Sequence, residues 1–306
     1  MNAPRIAVLI PCYNEESTIS ETVRDFRKAL PRAVIHVYDN NSTDDTARVA
    51  RKAGARVTGE PLQGKGHVIR SMFREVEADV YVMVDGDRTY PAESVHELLA
   101  PVLEGRADMA VGDRHSNESY RLENKRPFHQ AGNALIPWLI NRLWHADLRD
   151  VMSGYRAFNR RFVKQIAVLT AGFEVETELT LNALDARMRI VEIPVRYRDR
   201  PAGSFSKLHT FRDGWRILVL ILAILKDYRP LFFFGLIAAI FALAGSLSGA
   251  IPVVDFLRFR FVYHVPLAIL ATGLGILSMI SLSIGLVLDT LTRQHRIRTE
   301  ISLKNG

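Results

Sequence analysis

The chain has 306 residues, of which 48% are hydrophobic and 24% charged, a balance that excludes a disordered or fibrous protein. Residues 1–200 carry 29 basic against 28 acidic side chains, whereas residues 201–306 carry 11 against 5. Because the first part contains no basic tract, we expect no nucleic-acid partner. A single cysteine, Cys12, excludes an intramolecular disulfide and a multi-cysteine zinc site.

The first 113 residues show alternating strand and helix patterns. Strands are predicted at 6–10, 34–38, 55–58, 80–84 and 109–111. Helices are predicted at 17–30, 44–53, 66–77 and 92–104. This alternation predicts an α/β domain with a mainly parallel sheet, so ligands are expected at the carboxyl ends of the strands.

Polar residues follow the first two predicted strands. The first is followed by Pro-Cys-Tyr-Asn-Glu at 11–15 and not by Gly-x-Gly-x-x-Gly, which disfavours a dinucleotide-binding oxidoreductase. The second ends near Asp39, whose carboxylate can accept hydrogen bonds from a base or ribose. The alternative is that Asp39 only forms a turn, since Asx residues do so routinely.

The segment 59–65 spells Gly-x-x-x-x-Gly-Lys, but Gly66 stands where a phosphate-binding loop needs Ser or Thr. We interpret this as a chance match. The cation of Lys65 and nearby backbone N–H groups can still approach a phosphate at the start of the following helix.

The fourth strand is followed by Asp85, Gly86 and Asp87. Two carboxylates around a glycine suit a hard divalent ion that also touches a diphosphate, because Mg²⁺ binds one or two carboxylates and completes its shell with water and phosphate oxygens. The alternative is an acidic turn that caps the next helix. Farther along, Glu174, Glu176 and Glu178 lie in a predicted helix, where Glu174 and Glu178 share a face that we expect to be solvated.

Two stretches of 24 residues without charge, 231–254 and 265–288, exceed the roughly 20 residues that cross a bilayer as a helix. They predict an integral membrane protein. The flanking segments carry more Arg and Lys than the connecting loop, which places the N-terminal domain and the C-terminus in the cytoplasm. The short apolar run 217–225 predicts a helix lying in the membrane interface; a packing helix of the soluble domain is the alternative.

Six segments in one consistent order resemble the family 2 glycosyltransferases of the GT-A fold. They are IAVLIPCYNEE at 6–16, DNNSTD at 39–44, DGD at 85–87, GDR at 112–114, DVMSGYRAF at 150–158 and IPVRYRDRPAGSFSK at 193–207. Together with two C-terminal spans, they resemble the polyprenyl-phosphate glycosyltransferases, which include dolichyl-phosphate mannose synthases and undecaprenyl-phosphate glucosyltransferases. The resemblance implies a GT-A domain at 1–208, an interfacial helix at 209–229, two spans within 230–290 and a cytoplasmic tail at 291–306.

The resemblance also implies roles for individual residues. Those expected to hold the nucleotide of a sugar nucleotide are Pro11, Tyr13, Glu15, Asp39, Lys65, Asp85 and Gly86. Those expected to act in catalysis are Asp87, Asp150 and Arg114, with Asp85 and Asp87 binding Mg²⁺ or Mn²⁺. Those expected to meet the phosphate of a lipid acceptor are Arg200, Ser206 and Lys207.

Two positions depart from the family pattern. Thr89 stands where the mannose synthases often have a metal-contacting Gln, and Tyr155 stands where some glucosyl members have an acidic residue. Asp150 is therefore the nearest candidate for a base. A phosphate acceptor is already mostly dianionic at neutral pH, since its second pKa is about 6, so we expect Asp150 to orient groups and not to abstract a proton.

The expected reaction is an inverting transfer of a sugar from a nucleotide-diphosphate sugar to a polyprenyl phosphate at the cytoplasmic face of the inner membrane. A UDP-sugar is favoured as donor, with GDP-mannose as the alternative. A processive polysaccharide synthase of the same fold is disfavoured because the chain has no Gln-x-x-Arg-Trp segment. A non-catalytic membrane scaffold is a further alternative, and small residues in both spans make a homo-oligomer plausible.

Overall fold

The computed structural model describes residues 3–116, 127–172, 174–198, 219 and 221–305. The chain divides into two compact units, Met1–Gly214 and Trp215–Gly306, which are described separately below. Arg200, Ser206 and Lys207 lie outside the described residues, as does most of the predicted interfacial helix, of which 221–228 is helical.

The first unit alternates strands and helices. Its strands are β1 (Ile6–Cys12), β2 (Val34–Asp39), β3 (Arg56–Gly59), β4 (Val80–Met83), β5 (Met109–Asp113), β6 (Arg156–Asn159) and β7 (Ile190–Pro194). Its helices are α1 (Ile19–Ala29), α2 (Thr46–Lys52), α3 (Lys65–Glu75), α4 (Val95–Leu103), α5 (Pro127–Trp144), α6 (Arg160–Gln165) and α7 (Val175–Asp185), with a 3₁₀ turn at Ala92–Ser94. All five predicted strands are present.

The described strands form one sheet of seven strands in the order β3-β2-β1-β4-β6-β5-β7. Neighbouring strands run parallel except around β6, which is antiparallel to both β4 and β5. The prediction of an α/β fold with a mainly parallel sheet is confirmed. Because β2, β1 and β4 are neighbours, the residues that follow them meet at one edge of the sheet.

The core lies between the central strands and the helices that cover them. In β1, every residue after Ile6 is buried, as expected for a parallel strand covered on both faces. Helix α1 contributes Ile19, Val23 and Phe26, spaced so that one apolar stripe faces the sheet. This packing makes the sheet a rigid scaffold for the loops at its carboxyl edge.

The second unit contains two long helices, α8 (Pro230–Phe259) and α9 (Val265–Asn305). In the described residues, the stretches Pro230–Phe259 and Val265–Gln294 are long and apolar enough to cross a membrane, with mean hydropathies of 2.2 and 2.1. Only 6% and 0% of their most apolar windows are buried, which is unlike the core helix of a soluble protein. Helix α9 continues through most of the predicted tail.

Small residues allow α8 and α9 to approach each other. A Cβ on Gly245 would lie 3.3 Å from the Ala271 carbonyl oxygen, and a Cβ on Gly285 would lie 3.0 Å from the Phe234 Cβ. Ser278 donates a hydrogen bond to the Ala238 carbonyl across the pair, at 2.8 Å. Close backbone approach through small residues is typical of helix pairs in membranes.

Candidate active site

The candidate site lies at the carboxyl edge of the sheet. Asp39 ends β2, the segment 85–87 follows β4, and Arg114 follows β5. Cys12 and Asp39 are register partners at the ends of β1 and β2, so the loop after β1 begins beside Asp39. The fold therefore gathers at one edge most of the residues that the sequence motifs nominate.

The loop after β1 is tied to the loop after β2. The backbone N–H of Asn14 donates to Ser42 Oγ at 2.9 Å, and the Asn14 side-chain oxygen accepts from the Thr43 N–H at 2.8 Å. The N–H of Glu15 donates to Thr46 Oγ1 at 2.8 Å. These bonds fix the backbone that carries Tyr13 and Glu15.

Asp39 carries a buried carboxylate oxygen, Oδ1, that has no hydrogen-bond partner among the described residues. Next to it, the Asn40 amide donates to the carbonyls of Glu60 and Leu62 at 3.1 and 2.7 Å. A buried acceptor without a donor is costly, by about 1–3 kcal/mol, unless a ligand supplies one. Asp39 therefore ends β2 with a carboxylate oxygen whose hydrogen-bonding capacity the described residues leave unused.

The Asp85–Gly86–Asp87 loop contacts Thr18, which precedes α1, and Cys12 at the end of β1. The Gly86 carbonyl accepts from Thr18 Oγ1 at 2.8 Å, and a Cβ on Gly86 would lie 2.7 Å from the Cys12 sulfur. Glycine is therefore required where the loop crosses the end of β1. Burial raises the pKa of the Cys12 thiol well above its usual value, so Cys12 is a neutral packing residue.

Asp87 is buried, and its Oδ1 accepts from the hydroxyl of Thr89 at 2.7 Å and from its N–H at 3.2 Å. Thr89 thus orients Asp87, at the position where the resemblance leads one to expect a Gln. The residue between them, Arg88, adopts a left-handed backbone with φ of 62°. Such strain in a side-chain-bearing residue is typical of functional loops.

Lys65 binds two carboxylates at once. Its ammonium lies 2.5 Å from Asp85 Oδ1 and 2.5 Å from Glu176 Oε1. Burial lowers the pKa of Lys65, but the two carboxylates outweigh that effect and hold the pKa above its usual value. The N–H groups on either side are already used, because Gly64 donates to Asn40 and Gly66 donates to the Ala171 carbonyl.

The prediction of a solvated face shared by Glu174 and Glu178 is wrong for Glu178, while Glu174 is half-buried. Glu176 and Glu178 are both buried, and Glu178 accepts from the N–H groups of Leu169 and Thr170 at 2.8 and 3.1 Å. The partners of Glu178 come from the loop before the helix and that of Glu176 is Lys65, far away in the chain, and helical spacing carries no information about what packs against a face. Buried glutamates need such partners because an unpaired charge is not tolerated in the interior.

Arg114 and Asp150 form a two-pronged ion pair, with Arg114 Nε 2.6 Å and Nη2 2.8 Å from the two Asp150 oxygens. Burial raises the pKa of a carboxyl, but Arg114 outweighs it and holds the pKa of Asp150 below its usual value. Asp150 is therefore ionised and committed to Arg114. The guanidinium also lies 5.7 Å from the centre of the Tyr197 ring.

Sequence reasoning missed Arg156, which is among the largest fully buried side chains of the described residues. Its guanidinium donates to the carbonyls of Ser153 and Val151 at 2.8 and 2.7 Å and to Thr180 at 2.9 Å. Burial lowers the pKa of Arg156 to about 10. Arg156 thereby fixes the loop after Asp150. The sequence contained a signal for this role, because Arg156 stands among small and apolar residues at the start of a strand. An arginine buried there needs hydrogen-bond acceptors around it.

The loop held by Arg156 lies against Asp85. A Cβ on Gly154 would lie 2.4 Å from Asp85 Oδ2, and the Gly154 N–H donates to the Tyr90 hydroxyl at 3.1 Å. Tyr155, which replaces the acidic residue of some family members, is a core residue with no exposed surface. It packs against the rings of Phe26 and Tyr90.

The acidic residues fit a divalent ion that is shared with a phosphate ligand. In the described part of the chain, no cluster of three or more His, Cys, Asp or Glu side chains could hold a metal alone. Two hard carboxylates at Asp85 and Asp87 match the partial shell that Mg²⁺ or Mn²⁺ accepts when substrate phosphates and water complete it.

The fold and this site define an α/β domain with acidic residues at the carboxyl edge of its sheet, and comparisons with known proteins give the family. Residues 7–167 match the family described as Glycosyl transferase family 2. Glycosyltransferase AglJ from Haloferax volcanii is 30% identical over 292 residues, which cover 95% of each chain. The chain belongs to the family 2 glycosyltransferases, and it is a glycosyltransferase.

Two further similarities bear on the domain. A dolichyl-phosphate hexose transferase from Haloferax volcanii is 31% identical over 209 residues, covering 68% of this chain and 89% of that protein. The crystal structure of glucosyl-3-phosphoglycerate synthase from Mycobacterium tuberculosis, in complex with Mn²⁺, uridine diphosphate and glucosyl-3-phosphoglycerate, superposes with a TM-score of 0.58. That match has 22% identity and covers 73% of this chain and 80% of the other. The predicted GT-A fold is confirmed.

Proposed function

We propose that the protein transfers a sugar from a nucleoside-diphosphate sugar, preferably a UDP-sugar, to a polyprenyl phosphate, with a divalent metal. The proposal rests on the presence of two features in one chain. A site with two carboxylates and a clamped arginine lies in one unit, and two apolar helices of membrane-spanning length form the other. A relative named dolichyl-phosphate hexose transferase supports a lipid phosphate acceptor.

The donor is proposed to bind at the acidic side of the site. The Asp39 carboxylate accepts a hydrogen bond from the base or ribose, Tyr13 and Glu15 supply surface around it, and the buried residues Pro11 and Gly86 shape the loops that carry the site. A Mn²⁺- and UDP-bound structure of the similar synthase supports a nucleotide and a metal here. A divalent ion on Asp85 and Asp87 would stabilise the charge that develops on the leaving diphosphate.

The acceptor is proposed to arrive near Arg114. An oxygen of the lipid phosphate forms a bond to the anomeric carbon, while the bond from that carbon to the diphosphate breaks, so the configuration inverts and a nucleoside diphosphate leaves. Arg114 reduces repulsion between the two phosphate groups, and Asp150 positions Arg114. Arg200, Ser206 and Lys207 are proposed to bind the same lipid phosphate.

The acceptor oxygen is already deprotonated, so the reaction needs no proton abstraction by Asp150. This fits the geometry, because both oxygens of Asp150 are engaged by Arg114. Asp150 is therefore proposed to orient Arg114 and not to act as a base. The proposed site is a cytoplasmic one at the inner membrane.

The test measures nucleoside-diphosphate release by the full chain in detergent. UDP-glucose, UDP-N-acetylglucosamine and GDP-mannose are each supplied with and without undecaprenyl phosphate, and with Mg²⁺, Mn²⁺ or EDTA. We expect release from one donor that requires both the lipid phosphate and the metal. Release that is equally fast without lipid phosphate would contradict the proposed acceptor, and lipid-dependent release in EDTA would contradict the proposed metal.

A further inference from the structure

One buried ion triad extends beyond the residues given a role above. Glu176 of α7 is linked to the acidic loop through Lys65, whose ammonium bridges Glu176 and Asp85. The exposed fractions of the side chains are 7% for Glu176, 11% for Lys65 and 27% for Asp85. The triad is thus open to a ligand at its Asp85 end and closed at its Glu176 end.

The surroundings give Asp85 little freedom. Lys65 holds its Oδ1, while the Cα of Gly154 closes on its Oδ2, where a Cβ would lie 2.4 Å away. Gly154 is itself fixed by its N–H bond to Tyr90. Asp85 therefore presents its carboxylate in one orientation, with an ammonium already attached to it.

The charge on that ammonium matters for any metal on the acidic loop. A lysine beside a carboxylate occupies an acceptor and repels a divalent cation, so Lys65 alone would oppose metal binding at Asp85. Glu176 supplies a second negative charge on the same ammonium. With Glu176 present, the triad has a net charge of about −1, whereas Lys65 and Asp85 alone are neutral.

Resting on the proposed function, we propose that Glu176 is a positioning residue that acts through Lys65 to set the affinity of Asp85 for a divalent cation. Glu176 draws the ammonium toward α7 and offsets its charge, which keeps Asp85 available to the metal. The same pair limits how strongly the site binds a phosphate without metal, because Lys65 is not free to turn fully toward it.

The test measures two dissociation constants for the full chain in detergent: Mn²⁺ in the presence of uridine diphosphate, and uridine diphosphate in EDTA. Glu176→Gln keeps the size of the side chain and removes its charge. We expect the Kd for Mn²⁺ to rise about 10-fold and the Kd for metal-free uridine diphosphate to fall about twofold or more. A merely structural role would weaken both.

A double variant separates charge from packing. Lys65→Met with Glu176→Met removes one charge of each sign and fills the space with unbranched apolar side chains, a replacement that buried ion pairs often tolerate. We expect its Kd for Mn²⁺ to return to within about threefold of the unmodified protein. Glu174→Gln is the matched control, since Glu174 is only half-buried at the start of the same helix, and it should change neither constant.

The outcomes are distinct. If Glu176→Gln binds Mn²⁺ as tightly as the unmodified protein, or loses both ligands together, the role of Glu176 is refuted while the proposed function stands. If the double variant stays as weak as Glu176→Gln, the charge-balance account is refuted. If the unmodified protein binds neither Mn²⁺ nor uridine diphosphate, the proposed function fails, and this inference fails with it.

Discussion

In the α/β unit, several charged side chains lie inside the protein, whereas in the helical unit many apolar side chains lie on its outside. Asp87, Asp150 and Glu176 are buried in the first unit, and Arg156 is fully enclosed. In the second unit, side chains such as Leu247 and Met279 are 67% and 73% exposed. The two units therefore require different surroundings, although they belong to one chain.

The difference shows what holds each unit together. The α/β unit surrounds its buried charges with hydrogen-bond donors and opposite charges in fixed positions. Such networks rigidify a site and strengthen its electrostatic interactions. The helical unit has few polar contacts between its helices and relies on the shape of small residues such as Gly245 and Gly285. We therefore expect charge changes to affect activity in the first unit, and size changes to affect stability in the second.

The largest effect is expected for Asp87→Ala. Removing a carboxylate that Thr89 holds in place eliminates one of the two proposed metal ligands. The rate of nucleoside-diphosphate release should fall about 100-fold or more, because charge stabilisation at a leaving group is worth that much. Glu97→Ala, at an exposed position on α4, is the control and should retain its activity. Full activity in Asp87→Ala would remove the acidic loop from the mechanism.

The next effect is expected for Asp150→Asn, which leaves the Arg114 guanidinium without its charged partner. Breaking a buried pair costs about 3–5 kcal/mol of stability, and the rate with lipid phosphate should fall about 10-fold because Arg114 is no longer held. Retention of more than half of the rate would show that Arg114 needs no such positioning.

The loss of stability in Asp150→Asn should depend on pH in a definite direction. The folded-state pKa of Asp150 lies below its usual value of 3.8, so Asp150 contributes stability above that pH and loses it as the pH falls through the lower folded pKa. Unfolding measured against pH should therefore show a difference between protein and variant that is full near neutrality and shrinks in acid below about pH 4. A difference independent of pH would mean that Asp150 acts by packing alone.

A smaller effect is expected for Gly154→Ala. The added methyl group would lie 2.4 Å from Asp85 Oδ2, so the carboxylate must move away from its present orientation. We expect a loss of about fivefold in rate and a weaker Mn²⁺ affinity, since small displacements of a catalytic group reduce rates. Gly59→Ala is the matched control, because nothing lies within 4 Å of its added Cβ. Equal activity of the two variants would contradict the close fit at Asp85.

The smallest effect on rate is expected in the helical unit. Gly245→Leu places a large side chain where the Ala271 carbonyl is already 3.3 Å from a Cβ, whereas Gly235→Leu points into open space. Thermal unfolding in detergent should show that only the first variant is destabilised, by about 1–3 kcal/mol. If both variants unfolded alike, close packing between α8 and α9 would not stabilise the unit.

The sequence predicts most of the sheet because each of the first five strands is a short apolar run bounded by turn residues. Strands β6 and β7 are not predicted from the sequence, because their neighbours in the sheet come from distant segments. Strand β6 is also antiparallel to both of its neighbours. The two apolar helices were predicted from length and absence of charge alone. Their close approach depends on which glycines face the partner helix, and that is a property of the folded pair.

The same distinction applies to the site. Asp39, Asp85 and Asp87 are predictable because each lies at or just after the end of a strand, and the topology brings such residues together. The pairing of Lys65 with Glu176 is not predictable, because Glu176 lies 111 positions away on a helix whose pattern suggests a solvated face. Long-range ion pairs depend on packing, and local spacing does not encode them.

The most direct test of the central claim follows the sugar itself. The full chain in detergent is given a UDP-sugar labelled in the sugar, undecaprenyl phosphate and Mn²⁺, and the product is extracted into organic solvent. We predict a labelled lipid in which the anomeric carbon is bonded to phosphate with inverted configuration, as read by NMR. Label that stays in the aqueous phase, as free sugar or on a soluble acceptor, would contradict the account.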